Sequence, residues 1–112
     1  MKKQTTVEAF SARINARWNE RQDNSVDPGA DRHWAIPAMG MMGEAGEAGE
    51  HFKKFIRDGK PIYRNRKAAL ELGDTLHYLC RCIRLAGYSL SEICVLNERK
   101  IARREKRKAG KK

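Results

Sequence analysis

"MGMMGEAGEAGE", residues 39–50, has a glycine at every third position, and glutamate joins the repeat from residue 44 onward. A glycine period of three is typical of collagen, but only four glycines follow it and the run contains no proline, so a triple helix is excluded. Apolar residues recur here at steps of three or four, which predicts an α-helix from about 38 to 57. They are Met41, Ala45, Ala48, Phe52, Phe55 and Ile56.

Glycine is a costly residue inside such a helix. Each one costs roughly 0.8–1 kcal/mol relative to alanine, so Gly43, Gly46 and Gly49 together sacrifice about 2–3 kcal/mol. Glycine also allows a neighbouring helix or a ligand to approach the backbone closely. We therefore expect crowding around the glutamates that alternate with these glycines.

The rest of the chain also has helical periodicity. Thr5 and Glu8 form a capping-box pattern before a first helix from about 6 to 21. Residues 23–37 are rich in turn formers and are predicted to be the longest loop. A third helix is predicted from about 65 to 86, ended by Gly87, and Ser89 with Glu92 caps a fourth. No useful stretch alternates with period two, so we predict an all-α bundle of four to five helices.

Length and composition predict one domain, residues 1–104, followed by a basic tail, 105–112, that we expect to be disordered. Hydrophobic residues make up 40% of the 112, but many are alanine, so the core is thin unless subunits share one. A homodimer or homotetramer is therefore expected. The formal net charge of +10 suits a polyanionic ligand, whether a nucleotide, a nucleic acid or an anionic membrane surface.

Several classes of protein and site are disfavoured. No apolar run approaches membrane-spanning length and the first residues lack a secretory apolar segment, so we expect a cytoplasmic protein without a membrane partner. An odd number of cysteines without CxxC spacing suits reduced thiols. His77, Cys80 and Cys94 could form a zinc site, but buried cysteines in helices are common. His51 and His77 are interpreted as packing or surface residues.

Two acidic pairs are the strongest chemical signal. Glu44 and Glu47 lie about 60° apart on their helix, and "ELGD" gives Glu71 and Asp74 the same spacing on the next. Acids at this spacing usually form a solvated face, but the second pair stands among apolar residues. Antiparallel packing would bring the four carboxylates together, and only cations would make their repulsion tolerable. Hard oxygen ligands favour Mg²⁺ or Mn²⁺.

Three segments carry a family resemblance. "GEAGEAGEHFKK", "ELGDTLHYL" and "NERKIARR" resemble the MazG-like nucleotide pyrophosphohydrolases, a branch of the all-α NTP pyrophosphatases, whose pattern is ExxE, ExxD, Asn-x-x-Lys and a downstream arginine. The resemblance covers roughly residues 38–104 and implies Mg²⁺ ligands at Glu44, Glu47, Glu71 and Asp74. It also implies nucleotide and phosphate contacts at Lys54, Asn97, Lys100 and Arg103 or Arg104.

The same resemblance implies hydrolysis of an NTP or dNTP to the nucleoside monophosphate and pyrophosphate, in a dimer or larger assembly. Glu47 or Glu50 is the candidate base for the attacking water, and Lys53 is a further candidate phosphate contact. Trp34 could stack on a base, although a tryptophan there is more often a hydrophobic plug. The preferred base and sugar stay open, because residues 1–37 and "RDGKPIYRNR" add little to the match.

Two other functions remain as alternatives. A basic helical nucleic-acid-binding protein would explain the charge, but it leaves the acidic pairs and the helix glycines unexplained. A catalytically degenerate nucleotide-sensing or interaction module would keep the fold without turnover.

Overall fold

The computed structural model describes residues 4–21, 31–59 and 61–110, with the backbone alone at residues 21 and 31–34. These residues form four helices: α1 (Val7–Arg21), α2 (Asp31–Asp58), α3 (Arg66–Leu85) and α4 (Leu90–Gly110). No strand occurs in the described part of the chain, which confirms the all-α prediction. None of the described helices combines the length and the apolar character that crossing a bilayer needs.

Helix α2 begins earlier than the sequence indicated. It starts at Asp31 instead of near residue 38, so the predicted loop was wrong for residues 31–37, and residues 22–30 lie outside the described part. Pro37 stands inside the helix and is fully buried. Proline removes one backbone hydrogen bond from a helix. Burying its apolar ring compensates for part of that loss.

The helix starts show one correct capping prediction and one wrong one. In α4 the Glu92 amide donates to Ser89 Oγ (3.1 Å) and the Ser89 amide donates to Glu92 Oε1 (3.0 Å), which confirms that capping box. In α1 the Ala9 amide donates to Thr6 Oγ1 (3.1 Å), so the cap is Thr6 and the predicted pairing of Thr5 with Glu8 is wrong.

Glu8 has a long-range partner instead. Its Oε1 accepts a hydrogen bond from the Ser91 amide (2.9 Å), which is one of the free backbone donors at the start of α4. A carboxylate on the first helix therefore helps to cap the last one.

Helix α3 is the centre of the fold and contacts each of the other three helices. The buried core cluster is small, and it consists of Ile14, Cys80, Ile83 and Leu90. Beside it lies Arg81, 3% exposed, whose Nη1 donates to the side-chain oxygens of Asn15 and Asn19 (3.1 Å each). Its guanidinium also lies over the Trp18 ring, 5.7 Å from the centroid. Neutral acceptors and an aromatic face thus stabilise a buried cation.

Helix α4 continues to Gly110, although a disordered tail was predicted from residue 105. Arginine, lysine, glutamate and alanine, which dominate its second half, all have high helix propensity. Every residue from 94 to 110 is exposed, so this part of α4 makes no core.

Candidate functional site

The acidic pairs meet between α2 and α3. These helices share the most extensive contact in the fold and run antiparallel, since Gly40 lies against Tyr78 while His51 lies against Glu71. Carboxylate oxygens of Glu44, Glu47 and Glu71 all lie within 4.8 Å of one another. The structure therefore brings together three of the four acids that the sequence singled out. We call these three residues the acidic trio.

Two oxygens of the trio are shielded from solvent and lack a partner. Oε2 of Glu44 and Oε2 of Glu71 are buried, and neither has a hydrogen-bond donor among the described residues. Glu47 is exposed and forms the solvent side of the trio. A buried carboxylate oxygen without a donor is costly, so either a proton or a cation is needed between these two groups.

The electrostatics of Glu44 reflect this arrangement. Burial is the largest cause that raises the pKa of Glu44, followed by the hydrogen bond that its protonated form would donate to Glu71 and by the charges of Glu47, Asp74 and Glu71, and together they bring it to about 7. The folded chain therefore favours the protonated form of Glu44 up to a higher pH than an ordinary glutamate would allow. A cation bound by the trio would replace that proton.

Asp74 lies at the edge of this group. Its side chain is exposed and its oxygens are not among those that converge, although its charge acts on Glu44. The expected four-acid cluster is thus a trio with one neighbouring acid. Cys80 is buried and Cys94 is exposed, and among the described residues they form no metal-ligand group with His77. His77 Nε2 instead accepts a hydrogen bond from Trp18 Nε1 (3.2 Å).

His51 is a site residue that sequence reasoning missed. Its Nε2 lies 3.8 Å from Glu71 Oε1, so it borders the acidic trio from α2. The signal was available, because residue 51 follows Glu47 by four positions and therefore lies on the same helix face. This spacing alone does not identify a site residue, because a single histidine is more often a packing or surface residue.

The two lysines of α2 that were predicted to contact phosphate differ in their position relative to a cavity. Lys54 lines a cavity of about 420 Å³ next to His51, at the end of α2 and the start of α3. Lys53 is exposed and does not line that cavity. Glu50 is also exposed, one turn beyond Glu47 on α2.

The predicted contacts on α4 do not reach the trio within one chain. Helix α4 packs against α1 and α3, and no contact with α2 is found in the described part of the chain. All of its predicted nucleotide and phosphate contacts are exposed: Asn97, Lys100, Arg103 and Arg104. The Trp34 side chain, predicted as a base contact, lies outside the described residues.

The glycines show where the backbone is crowded. A Cβ at Gly40 would lie 2.5 Å from Cε1 of Tyr78, so this glycine permits the ring to pack on α2. A Cβ at Gly43, Gly46 or Gly49 would meet nothing within 4 Å. The crowding predicted at those three positions is therefore absent within the described chain, and their side of α2 is open.

Comparison with known proteins gives no further identification: the chain matches no protein-family model, no curated protein and no solved structure.

Proposed function

We propose that the protein is a Mg²⁺-dependent nucleoside triphosphate pyrophosphohydrolase, converting an NTP or dNTP to the monophosphate and pyrophosphate. The observation that carries the proposal is the pair of shielded, unpartnered oxygens on Glu44 and Glu71, contributed by two different helices. The order of the motifs, which resembles the MazG-like family, supplies the reaction.

The donor set fits a hard divalent cation. Three carboxylates converge without a cysteine, and such oxygen ligands suit Mg²⁺, or Mn²⁺ as a substitute, in sites that also take substrate phosphates. Glu44, Glu47 and Glu71 would hold the ion, with Asp74 beside them. When bound, the ion supplies positive charge that offsets the charge of the triphosphate and of the transition state.

The chain's own residues supply the remaining roles. Glu47 or Glu50, both exposed, would orient the attacking water and accept its proton. Lys54 would bind phosphate oxygens. The α4 contacts, led by Asn97 and Lys100, would come from a second copy of the chain, because α4 does not touch α2 within one chain. The proposed enzyme is therefore a homodimer or homotetramer.

The test is a screen of all NTPs and dNTPs with Mg²⁺, with identification of the released products. We expect monophosphate and pyrophosphate from the wild-type protein and no turnover from Glu44→Gln. Glu98→Gln, which removes an exposed acid on α4, is the matched control and should retain turnover. Wild-type rates in Glu44→Gln would exclude the trio as the active site.

Metal binding has its own measurement. Ligand binding to the folded state stabilises by RT ln(1 + [L]/Kd), so Mg²⁺ should raise the melting temperature of the wild type but not of Glu44→Gln. The shift should be larger above pH 7 than below it, because a proton competes with the ion at Glu44. A wild-type melting curve that saturating Mg²⁺ leaves unmoved would contradict the metal site.

The exposed basic half of α4 favours a second candidate, a helical nucleic-acid-binding protein. Its residues from 97 to 110 are all exposed, and half of them are lysine or arginine. Duplex affinity that falls steeply with salt, together with no nucleotide hydrolysis, would support this alternative. Nucleotide binding without turnover would instead support the degenerate sensing or interaction module.

A further inference from the structure

The cavity beside the acidic trio is lined by residues from the facing ends of two helices. His51, Lys54 and Asp58 come from the last turns of α2, and Asn65, Arg66 and Lys67 come from the start of α3. Its volume of about 420 Å³ lies within the range of small-molecule pockets, on the order of 300–1,000 Å³. We call it the basic cavity.

The basic cavity has an excess of positive charge. Lys54, Arg66 and Lys67 line it, and none of them has an ion pair with another described residue. The acid in the lining, Asp58, is held by Arg57, whose Nε lies 2.9 Å from Oδ1 and whose Nη2 lies 3.3 Å from Oδ2. Three cationic side chains therefore face the cavity while its carboxylate is already paired.

The positive side chains at the start of α3 are unfavourable at a helix N-terminus. A helix N-terminus carries a partial positive charge and is stabilised by acids, yet α3 begins with Arg66 and Lys67 and has no acid in its first turn. Asn65 caps the helix by accepting from the Ala68 amide (3.1 Å) and adds no charge. A local conflict of this kind often marks a functional position, and an anion in the basic cavity would remove it.

The basic cavity adjoins the acidic trio. His51 lines the cavity, and its Nε2 lies 3.8 Å from Glu71 Oε1 in the trio. On α2, Glu44, Glu47, His51 and Lys54 follow one another at steps of three or four, so they share one helix face. Glu47 and Lys54 are about 10 Å apart along the axis at 1.5 Å per residue. The acidic trio and the basic cavity are therefore neighbours, and His51 borders both.

We infer that the basic cavity binds the pyrophosphate end of a phosphoanhydride substrate, which places the phosphorus bonded to the sugar oxygen beside the acidic trio. The identity of that substrate rests on the proposed function. In the reaction, a bond forms between the water oxygen and this phosphorus, while the bond from the phosphorus to the bridging oxygen breaks. The proton goes to a carboxylate, and pyrophosphate leaves with the bridging oxygen into the basic cavity.

The test measures binding of inorganic pyrophosphate to the full-length protein by calorimetry, with a chelator present so that no divalent ion contributes. The double variant Arg66→Gln/Lys67→Gln removes two cations of the cavity. We expect it to bind pyrophosphate at least tenfold more weakly than the wild type, since each lost charged contact weakens binding severalfold. Circular dichroism and melting curves check that the variant remains folded.

The matched control is Lys106→Gln/Arg107→Gln, which removes the same charge from the exposed end of α4, outside the cavity. It should bind pyrophosphate as the wild type does. Equal losses in both double variants would mean that general attraction to a chain of net charge +10 explains the binding, and this would overturn the inference. Unchanged binding in Arg66→Gln/Lys67→Gln would overturn it as well.

Kinetics separates this inference from the proposed function. If Glu44→Gln abolishes turnover while Arg66→Gln/Lys67→Gln leaves KM and pyrophosphate affinity unchanged, the hydrolase stands and the pyrophosphate site is wrong. If no nucleotide is hydrolysed but pyrophosphate binding depends on Arg66 and Lys67, the anion site stands and the hydrolase fails. A raised KM with a tenfold loss of pyrophosphate affinity supports both.

Discussion

Burial of Glu44 makes the stability of the protein depend on pH. The pKa of this carboxyl is about 7 in the folded chain, against 4.5 for an ordinary glutamate, so the folded state holds more protons than the unfolded state between these values. Without metal, the free energy of unfolding contributed by this group therefore falls as pH rises from about 5 to about 7, and then levels off.

Glu44→Gln should remove this fall in the free energy of unfolding with rising pH. Chemical denaturation in chelator across this pH range should show the variant gaining stability relative to the wild type as pH rises. Glu98→Gln is the control and should keep the wild-type slope. Parallel curves for the wild type and Glu44→Gln would mean that Glu44 ionises normally.

Gly40 and Gly46 are predicted to respond oppositely to alanine. In Gly40→Ala the new Cβ would lie 2.5 Å from the Tyr78 ring, which itself packs against His77 and Trp18, so the ring must shift and the protein should lose stability. In Gly46→Ala no atom of the same chain lies within 4 Å, so under dilute conditions in which the chain is monomeric helix propensity should add about 0.8–1 kcal/mol. Denaturation curves measure both. A loss of stability in Gly46→Ala would indicate that another molecule covers that position.

At the level of single residues, sequence spacing could predict which side chains share a face of the same helix. Glu44 and Glu47 share a face because three residues span most of a helical turn, and that follows from the sequence alone. The contacts of His51 with Glu71 and of Gly40 with Tyr78 depend on how α3 is rotated against α2. That rotation is set by packing along the whole interface, so spacing alone could not predict these contacts.

Among the helices, α4 offers a direct test of its capping box. Ser89→Ala removes the hydroxyl that accepts from the Glu92 amide, and loss of such a cap typically costs about 1 kcal/mol. Ser91→Ala changes an exposed serine in the same turn, whose backbone amide and not its hydroxyl donates the hydrogen bond to Glu8. Urea denaturation should therefore show a clear loss for Ser89→Ala and little change for Ser91→Ala. Equal effects would show that the Ser89 hydroxyl contributes little.

Helix boundaries could be predicted wherever the signal was local. The start of α4 follows from two side chains within four residues, and the end of α3 follows from Gly87, which has a φ of 89° that favours glycine. The start of α2 could not be predicted, because a proline at a position such as 37 usually interrupts a helix. It is tolerated here in a buried position, and burial depends on tertiary packing.

As a whole, the described chain is extended for its size. Its accessible surface is 9203 Å², against roughly 6,300 Å² for a compact monomer of its mass. Its radius of gyration is 17.6 Å, against about 13 Å for a compact domain of this length. Large apolar side chains are exposed, including Met39 and Met42, each 71% exposed beside the open glycines of α2. The thin core inferred from composition agrees with these values and favours an assembly in which copies cover this face.

Light scattering after size exclusion should accordingly give a mass of at least twice 12.8 kDa. Met42→Glu places a charge on the apolar face and should shift the mass toward the monomer. Val7→Glu, at an exposed apolar residue on the first turn of α1, is the control and should leave the assembly intact. A wild-type mass of 12.8 kDa at micromolar concentration would contradict the assembly.

The hydrogen bond between Glu8 and Ser91 joins residues 83 positions apart, and this separates two stages in the folding of the chain. Helices α2 and α3 are neighbours in the chain and can pair early, since contacts close in sequence form fastest. The start of α4 receives the Glu8 carboxylate later, because that contact closes a much longer loop. An N-terminal truncation through residue 8 would therefore weaken the attachment of the last helix while leaving the α2 and α3 pair in place.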